Sequence, residues 1–112
     1  MASLNPYLNF NGKTEEAFNF YKSVFGGEFT NVQRIGDTPF AKELAANEKN
    51  RIMHIALPVG STVLMGSDIL ESQGHKLSVG NNCHININAE TKAEADKIFK
   101  GLSAGGTVTM AL

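Results

Sequence analysis

Apolar residues recur at the spacing of one helical face in two parts of the chain. In residues 13–25 they fall every three or four positions, acidic residues occupy the first turn, and a glycine pair follows. The same spacing recurs in residues 91–102, where Thr91 and Glu94 are placed as in a capping box. The pattern predicts two amphipathic helices, each with one face to bury.

Shorter stretches, in which apolar and polar residues alternate or apolar residues cluster, predict β-strands. The predicted strands cover residues 7–11, 28–35, 51–59, 61–68, 83–89 and 107–112. Gly60 separates the third strand from the fourth, which predicts a hairpin. Residues 36–50 predict a polar loop with a helical turn near residues 40–46, and residues 68–82 predict a connector.

The predicted elements run β-α-β-β-β and then begin again as β-α-β. Both helices lead into Gly-Gly and a strand, in "NFYKSVFGGEFTNV" and "KIFKGLSAGGTVTMAL". We therefore expect an α+β fold of duplicated βαβββ modules, with the second module incomplete by two strands. The single domain of residues 1–112 would comprise module one (1–68), a connector (69–81) and partial module two (82–112).

Three of the predicted strands separate an apolar face from a mixed face, because strand side chains alternate in direction. The apolar set comprises Leu8, Phe10, Met53, Ile55, Leu57, Ile85, Ile87 and Ala89. The opposite set comprises Tyr7, Asn9, Asn11, Ile52, His54, Ala56, His84, Asn86 and Asn88. The two helices can cover the apolar set. The opposite set either lines a concavity that binds a small molecule or forms a solvated sheet face, and alternation leaves both interpretations open.

Composition narrows the functional classes. The 112 residues are 42% hydrophobic and 19% charged with a net charge of −1, which is typical of a globular domain and argues against a basic nucleic-acid groove. No apolar run approaches the length of a membrane span, and the N-terminus does not have the pattern of a signal peptide. A single cysteine, Cys83, is consistent with a reducing compartment, so we expect a cytoplasmic protein.

Three segments carry a resemblance to a known superfamily. They are "NPYLNFNGKTEEAFNFYKSVFGGEF", "MHIALPVGSTVLMGSD" and "GGTVTMAL". They resemble the vicinal oxygen chelate superfamily, which includes glyoxalase I, bleomycin-resistance proteins and extradiol dioxygenases, and within it the PhnB-like branch. The resemblance covers essentially the whole chain. It implies curved, mixed, U-shaped sheets that enclose a site, and a homodimer in which modules can be exchanged.

The resemblance also implies where a metal would bind. Metal-dependent members take mainly His and Glu ligands from the first and fourth strands of each module. His84 matches one such position, whereas module one offers Pro6 or Tyr7 on its first strand and no carboxylate at Leu64, Met65 or Gly66. Because a divalent site needs several converging ligands, we expect no glyoxalase-type metal site, with His84 the only plausible ligand.

The residues support one interpretation and keep alternatives open. The first is a small-molecule-binding protein of the PhnB-like branch without an intact metal triad, whose pocket is lined by Tyr7, Asn9, His54, His84 and Asn86. The second is a metal-dependent glyoxalase-type lyase or dioxygenase-like enzyme that uses His84. Antibiotic sequestration is a third.

Three smaller features bear on these alternatives. Some PhnB-like proteins carry a methyltransferase label, but the chain has no glycine-rich strand-to-helix turn for S-adenosylmethionine. Asp68 is either a turn cap or part of the pocket rim. The unclosed edge of module two predicts either further C-terminal strands or strands from a homodimer partner.

Overall fold

A computed structural model describes residues 2–39, 46–71 and 74–111. The elements are β1 (Tyr7–Phe10), α1 (Thr14–Phe25), β2 (Asn31–Arg34), a short 3₁₀ helix (Ile35–Asp37), α2 (Ala46–Lys49), β3 (Ile52–Val59), β4 (Thr62–Asp68) and α3 (Lys92–Ser103). The helical turn predicted near residues 40–46 lies almost wholly outside the described residues, and α2 begins at its last position.

The four strands form one curved, open, mixed sheet in the order β1-β4-β3-β2. β1 lies parallel to β4, with Tyr7 opposite Met65, and β3 is antiparallel to both of its neighbours. β3 and β4 form the predicted hairpin. With two long helices beside this sheet, the α+β class is confirmed.

The core lies between α1 and the sheet. Phe18 of α1 is fully buried against Ile52, Ile55 and Leu57 of β3. Burial of each such side chain contributes about 1.5–3 kcal/mol. Gly66 of β4 makes room for the Phe18 ring, because a Cβ at this glycine would lie only 2.7 Å from Phe18 Cε1. Helix α1 is therefore seated directly on the two central strands.

A β-bulge changes the predicted faces at the start of β3. Gln33 pairs with His54, but Arg34 pairs with Ile52, so Met53 is an extra residue between two pairings. Ile52 is consequently buried, whereas Met53 is 42% exposed. The prediction that placed Met53 among the apolar residues and Ile52 opposite them was wrong, since strict alternation fails across a bulge.

The second half of the chain is built around α3. This helix is confirmed one position later than predicted, and the hydroxyl of Thr91 accepts a hydrogen bond from the Glu94 N–H at 3.1 Å, as the capping pattern predicted. Residues 83–89 and 107–111 are not strands within the described part of the chain, so the strand predictions there were wrong. Neither segment lies in a hydrogen-bonded ladder, which is what defines a strand.

Helix α3 lies against α1. A Cβ at Gly101 would lie 3.0 Å from Val24 Cγ2, so the two helices approach closely at this glycine. The apolar face of α3 carries Ile98, Phe99 and Leu102, which line a groove together with residues 87–89. The division into two modules with the predicted boundaries stays a prediction.

Candidate functional site

One face of the sheet is not covered by α1, and we call it the open face. Strand pairing determines its members, because paired residues on neighbouring strands point to the same side. Its members are Tyr7, Asn9, Asn31, Gln33, His54, Ala56, Pro58, Val63, Met65 and Ser67. The bulge at Met53 is what sets His54 on this side while Ile52 and Ile55 both remain in the core.

Two aromatic rings meet on the open face. The ring centroids of Tyr7 and His54 lie 5.9 Å apart with an interplanar angle of 36°. Because β4 separates their strands, the two rings approach each other over β4, in which Met65 is opposite Tyr7. Tyr7 is 46% exposed and His54 is partly buried. Together they form a small aromatic surface on the open face.

Neutral hydrogen-bonding groups flank these rings. The hydroxyl of Ser67 donates to Asn9 Oδ1 at 3.2 Å, which orients the Asn9 amide. Gln33 lies beside His54 on the neighbouring strand, opposite it in the register. Amide and hydroxyl groups both donate and accept hydrogen bonds, so this surface can bind ligand groups of either kind.

The cationic side chains near the sheet are already paired. Arg34 forms a salt bridge with Glu15 and donates to the Asn50 carbonyl at 3.0 Å. The hydrogen bond from Arg34, partly offset by burial, lowers the pKa of Glu15 below its ordinary value. Arg51 donates to Asn11 Oδ1 at 3.0 Å and to the Ile69 carbonyl at 2.9 Å. Both guanidinium groups therefore bind partners from their own chain.

The structure brings together three of the five residues predicted to line the pocket. Tyr7, Asn9 and His54 lie on the open face. His84 and Asn86 lie in the exposed segment of residues 83–89, and no hydrogen bond or ring contact within residues 2–39, 46–71 and 74–111 joins them to the other three. The participation of His84 and Asn86 in a site stays a prediction.

Metal ligands do not cluster in the described residues. No three His, Cys, Asp or Glu side chains converge there. Cys83 is exposed, and His75 Nδ1 accepts a hydrogen bond from the Leu70 N–H at 3.4 Å. His84 has no hydrogen-bond or ring partner in this part of the chain, so its imidazole nitrogens remain available to a ligand.

Asp68 has a structural role that the alternation of polar and apolar residues along its strand did not reveal. Its buried carboxylate accepts hydrogen bonds from the Gly12 N–H at 2.8 Å, the Thr14 N–H at 3.2 Å and the Thr14 hydroxyl at 2.7 Å. It also accepts one from the Ile52 N–H at 2.9 Å. The carboxylate binds N–H groups at the start of α1 and not those of its own turn, so the predicted turn cap was wrong, and a place at the pocket rim stays a prediction. A pairing between positions so distant in sequence leaves no local signal.

Two grooves lie elsewhere on the molecule. The larger, of about 490 Å³, runs along α3 and residues 107–110, and the smaller, of about 360 Å³, lies between α1 and α3. Neither groove is lined by Tyr7, Asn9, His54, His84 or Asn86. The candidate site is therefore the open face itself, distinct from both grooves.

These features define a class of small α+β protein, in which a helix covers one side of a curved mixed sheet and the other side carries neutral polar and aromatic groups. The sequence profile of the family described as 3-demethylubiquinone-9 3-methyltransferase matches residues 2–111, and the chain belongs to this family. No curated protein matches the chain.

Two solved structures are similar to this chain. Protein PA1353 from Pseudomonas aeruginosa shares 38% identity over 100% of this chain and 80% of its own, with a TM-score of 0.85. A PhnB protein from Bacillus cereus shares 24% identity over 99% of this chain and 81% of its own, with a TM-score of 0.74, which shows a common fold. None of the helices in the described residues is long and apolar enough to cross a membrane.

Proposed function

We propose that this chain is a small-molecule-binding protein of the PhnB-like branch of the vicinal oxygen chelate superfamily, and that its ligand lies against the open face. The observation that carries the proposal is the meeting of the Tyr7 and His54 rings at 5.9 Å on a face that α1 leaves uncovered. Binding sites commonly combine such an apolar and aromatic surface with a few polar groups that orient the ligand.

The second half of the chain would complete the site. The order of α1 and α3 in the chain, each followed by a glycine pair, supports the expected division into modules 1–68 and 82–112. If module two closes over the open face, His84 and Asn86 would contact the ligand from the side opposite to Tyr7 and His54. We include in the proposal a homodimer, because a second copy would cover the exposed Ile85 and Ile87, and a cytoplasmic location, which the single cysteine Cys83 favours.

Ligand binding is better supported than methyl transfer to a bound substrate. The turn between β1 and α1 contains one glycine, Gly12, and the Arg51 guanidinium lies against it, with Nη1 of Arg51 held by Asn11. The N–H groups of Gly12 and Thr14 at the start of α1 already bind the Asp68 carboxylate. A cofactor carboxylate or phosphate would have to displace Asp68 to bind at this turn.

A screen of unfolding temperatures tests the proposal. A compound that binds the folded chain at 100 times its Kd stabilises it by about 2.7 kcal/mol, which a melting curve detects. We expect such a compound to raise the Tm of the wild type and of Phe20→Leu, which alters the exposed face of α1. It should have little effect on Tyr7→Leu or His54→Leu. Equal stabilisation of all four proteins would place the ligand elsewhere and contradict the proposal.

The second candidate is a metal-dependent lyase or dioxygenase-like enzyme. The observation that favours it is the exposed His84 with its imidazole free among the described residues. Elemental analysis of wild type, His84→Ala and the control His75→Ala separates the candidates. A stoichiometric metal that is lost only in His84→Ala would support the metal-dependent enzyme. A metal content that neither substitution changes would contradict it.

A further inference from the structure

The groove between α1 and α3 is formed by one face of each helix. In each helix the lining residues stand at positions i, i+3 and i+4, so they point to the same side. The residues that line the groove are Phe20, Ser23 and Val24 of α1 and Lys97, Lys100 and Gly101 of α3. The two helices meet at Val24 and Gly101, and these two residues therefore form the closed side of the groove.

The ring of Phe20 provides an aromatic surface in this groove. Phe20 is 37% exposed, so a ligand can reach it from solvent. On its other side it contacts Tyr21, with ring centroids 6.0 Å apart and an interplanar angle of 56°. The contact with Tyr21 limits the orientations of the Phe20 ring, which offers the groove a surface suited to another flat ring.

Lys97 and Lys100 bring positive charge to the same groove. Neither forms a salt bridge within the described part of the chain, whereas Lys22 of α1 contacts Glu28 at 3.0 Å. No carboxylate side chain is among the described residues that line the groove, and Asp96, the neighbour of Lys97 in sequence, is not one of them. The groove therefore combines an aromatic ring with two ammonium groups whose charge no nearby acid in the described chain neutralises.

The size of the groove favours a small molecule over a protein partner. A stable protein interface takes roughly 20–30 residues on each side, whereas six described residues line this groove. Its volume of about 360 Å³ lies instead within the range of roughly 300–1,000 Å³ that is typical of ligand pockets. A ligand that matches both the ring and the lysines has a flat apolar part and an anionic group.

We propose that the groove between α1 and α3 is a second binding site, and that it takes small aromatic anions. The ring of the ligand lies against Phe20, and its carboxylate or sulfonate contacts the ammonium groups of Lys97 and Lys100. This attraction acts across water and is sensitive to salt, so it does not require burial of the ligand's charge. The inference does not rest on the proposed function, because α1 lies on the side of the sheet away from the open face.

Two probes with the same ring separate the effect of charge from that of the ring. They are 2-naphthoate, which is an anion at pH 7, and 2-naphthylmethanol, which is neutral. Each is titrated into the full chain at about 20 mM salt, where exposed charges are weakly screened. The backbone amide NMR signals of Val24 and Gly101 are followed, with that of Thr109 as a reference, because Thr109 lines only the larger groove.

The anion should be the better ligand. We expect 2-naphthoate to shift the signals of Val24 and Gly101 and to bind about fivefold more tightly than the alcohol, or more, because two lysines attract it. Raising the salt concentration to about 500 mM should remove most of this difference, since the charges are exposed to solvent.

Neutral substitutions of the lysines provide matched variants. Lys97→Gln and Lys100→Gln should each weaken the binding of 2-naphthoate about threefold and leave that of the alcohol unchanged, since each removes one exposed charge pair. Lys92→Gln is the control, because Lys92 is an exposed residue of α3 that lines neither groove. Phe20→Leu should weaken both probes about threefold, since it removes the ring on which they lie.

Several results would overturn the inference. Equal affinity for the two probes at low salt would exclude a role for charge. The same affinity for 2-naphthoate in Lys97→Gln, Lys100→Gln and Lys92→Gln would show that the two lysines do not contact it. A shift at Thr109 alone would place the ring in the larger groove, and no binding of 2-naphthoate would remove the site. None of the substituted residues lies on the open face, so the proposed function would stand in each case.

Discussion

The carboxylate of Asp68 binds both the backbone N–H and the hydroxyl of Thr14, a residue 54 positions earlier in the chain. These contacts, with those to the N–H groups of Gly12 and Ile52, join the end of β4 to the start of α1 and to β3. All the groups involved except Gly12 are buried, so water cannot replace the carboxylate. Asp68 therefore holds α1 to β3 and β4, two of the strands that carry the open face.

Replacing Asp68 by Ala should destabilise the fold strongly. Hydrogen bonds to charged groups are worth about 1.5–3 kcal/mol each, and buried donors left without an acceptor add a desolvation penalty. We expect Asp68→Ala to lower the free energy of unfolding by about 3 kcal/mol or more, measured by urea denaturation. Asp96→Ala, at an exposed position of α3, should change it by less than about 0.5 kcal/mol. A loss at Asp68 no larger than that of the control would show that its carboxylate does not hold these three elements together.

A methyl group at Gly66 should be incompatible with the position of α1. The added Cβ would lie 2.7 and 2.9 Å from two ring carbons of Phe18 and 3.0 Å from the Leu8 carbonyl oxygen. Overpacking of this kind costs about 1–3 kcal/mol, so Gly66→Ala should lower the Tm. Gly80→Ala is the matched control, because the closest atom to its Cβ would be 3.7 Å away. Similar melting curves for the two variants would mean that Phe18 does not lie on β4.

The elements that could be predicted from the sequence are those whose signals lie within a few neighbouring residues. Helix α1, helix α3 and the β3–β4 hairpin follow from apolar spacing, glycine positions and the Thr91 cap, all of which act within a few residues. The α+β class follows from these elements. For the same reason, Tyr7 and Asn9 could be placed on the polar face of their strand from alternation alone.

Features that depend on partner strands could not be predicted. The bulge that exposes Met53 arises from the pairing of β3 with β2, and the residues around Met53 do not predict it. The role of Asp68 depends on Thr14, which lies far away in sequence. Residues 83–89 alternate between apolar and polar side chains, as a strand does. Alternation shows only which side chains would share a face. A strand also requires a neighbouring strand with which its backbone forms hydrogen bonds.

The Glu15–Arg34 salt bridge should give the stability a specific pH dependence. Because the Arg34 guanidinium lowers the pKa of Glu15 below 4.5, the pair stabilises the fold above that pH, and the stabilisation is lost as the pH falls through the lowered pKa. Both side chains are partly exposed, so at pH 7 we expect Glu15→Gln to cost no more than about 1 kcal/mol.

Urea denaturation of wild type and Glu15→Gln across the acidic range measures this effect. The two unfolding free energies should differ at pH 7 and converge as the pH falls from 4.5 through the lowered pKa, below which the folded wild-type carboxyl is protonated and resembles the amide. Glu16→Gln is the control, since Glu16 is exposed and its contact with Lys13 is a 3.6 Å surface pair. A difference between wild type and Glu15→Gln that stays constant with pH would show that the salt bridge is not its source.

The contact between α1 and α3 can be tested with a double-mutant cycle at Gly101 and Val24. Alanine normally stabilises the interior of a helix by about 1 kcal/mol relative to glycine. At Gly101, however, the new Cβ would lie 3.0 and 3.2 Å from the two methyl groups of Val24, which must then move. We expect Gly101→Ala to be destabilising or neutral alone and stabilising by about 1 kcal/mol in a Val24→Ala background, a coupling of about 1 kcal/mol or more. If Gly101→Ala stabilises both backgrounds equally, the two helices do not meet at this residue.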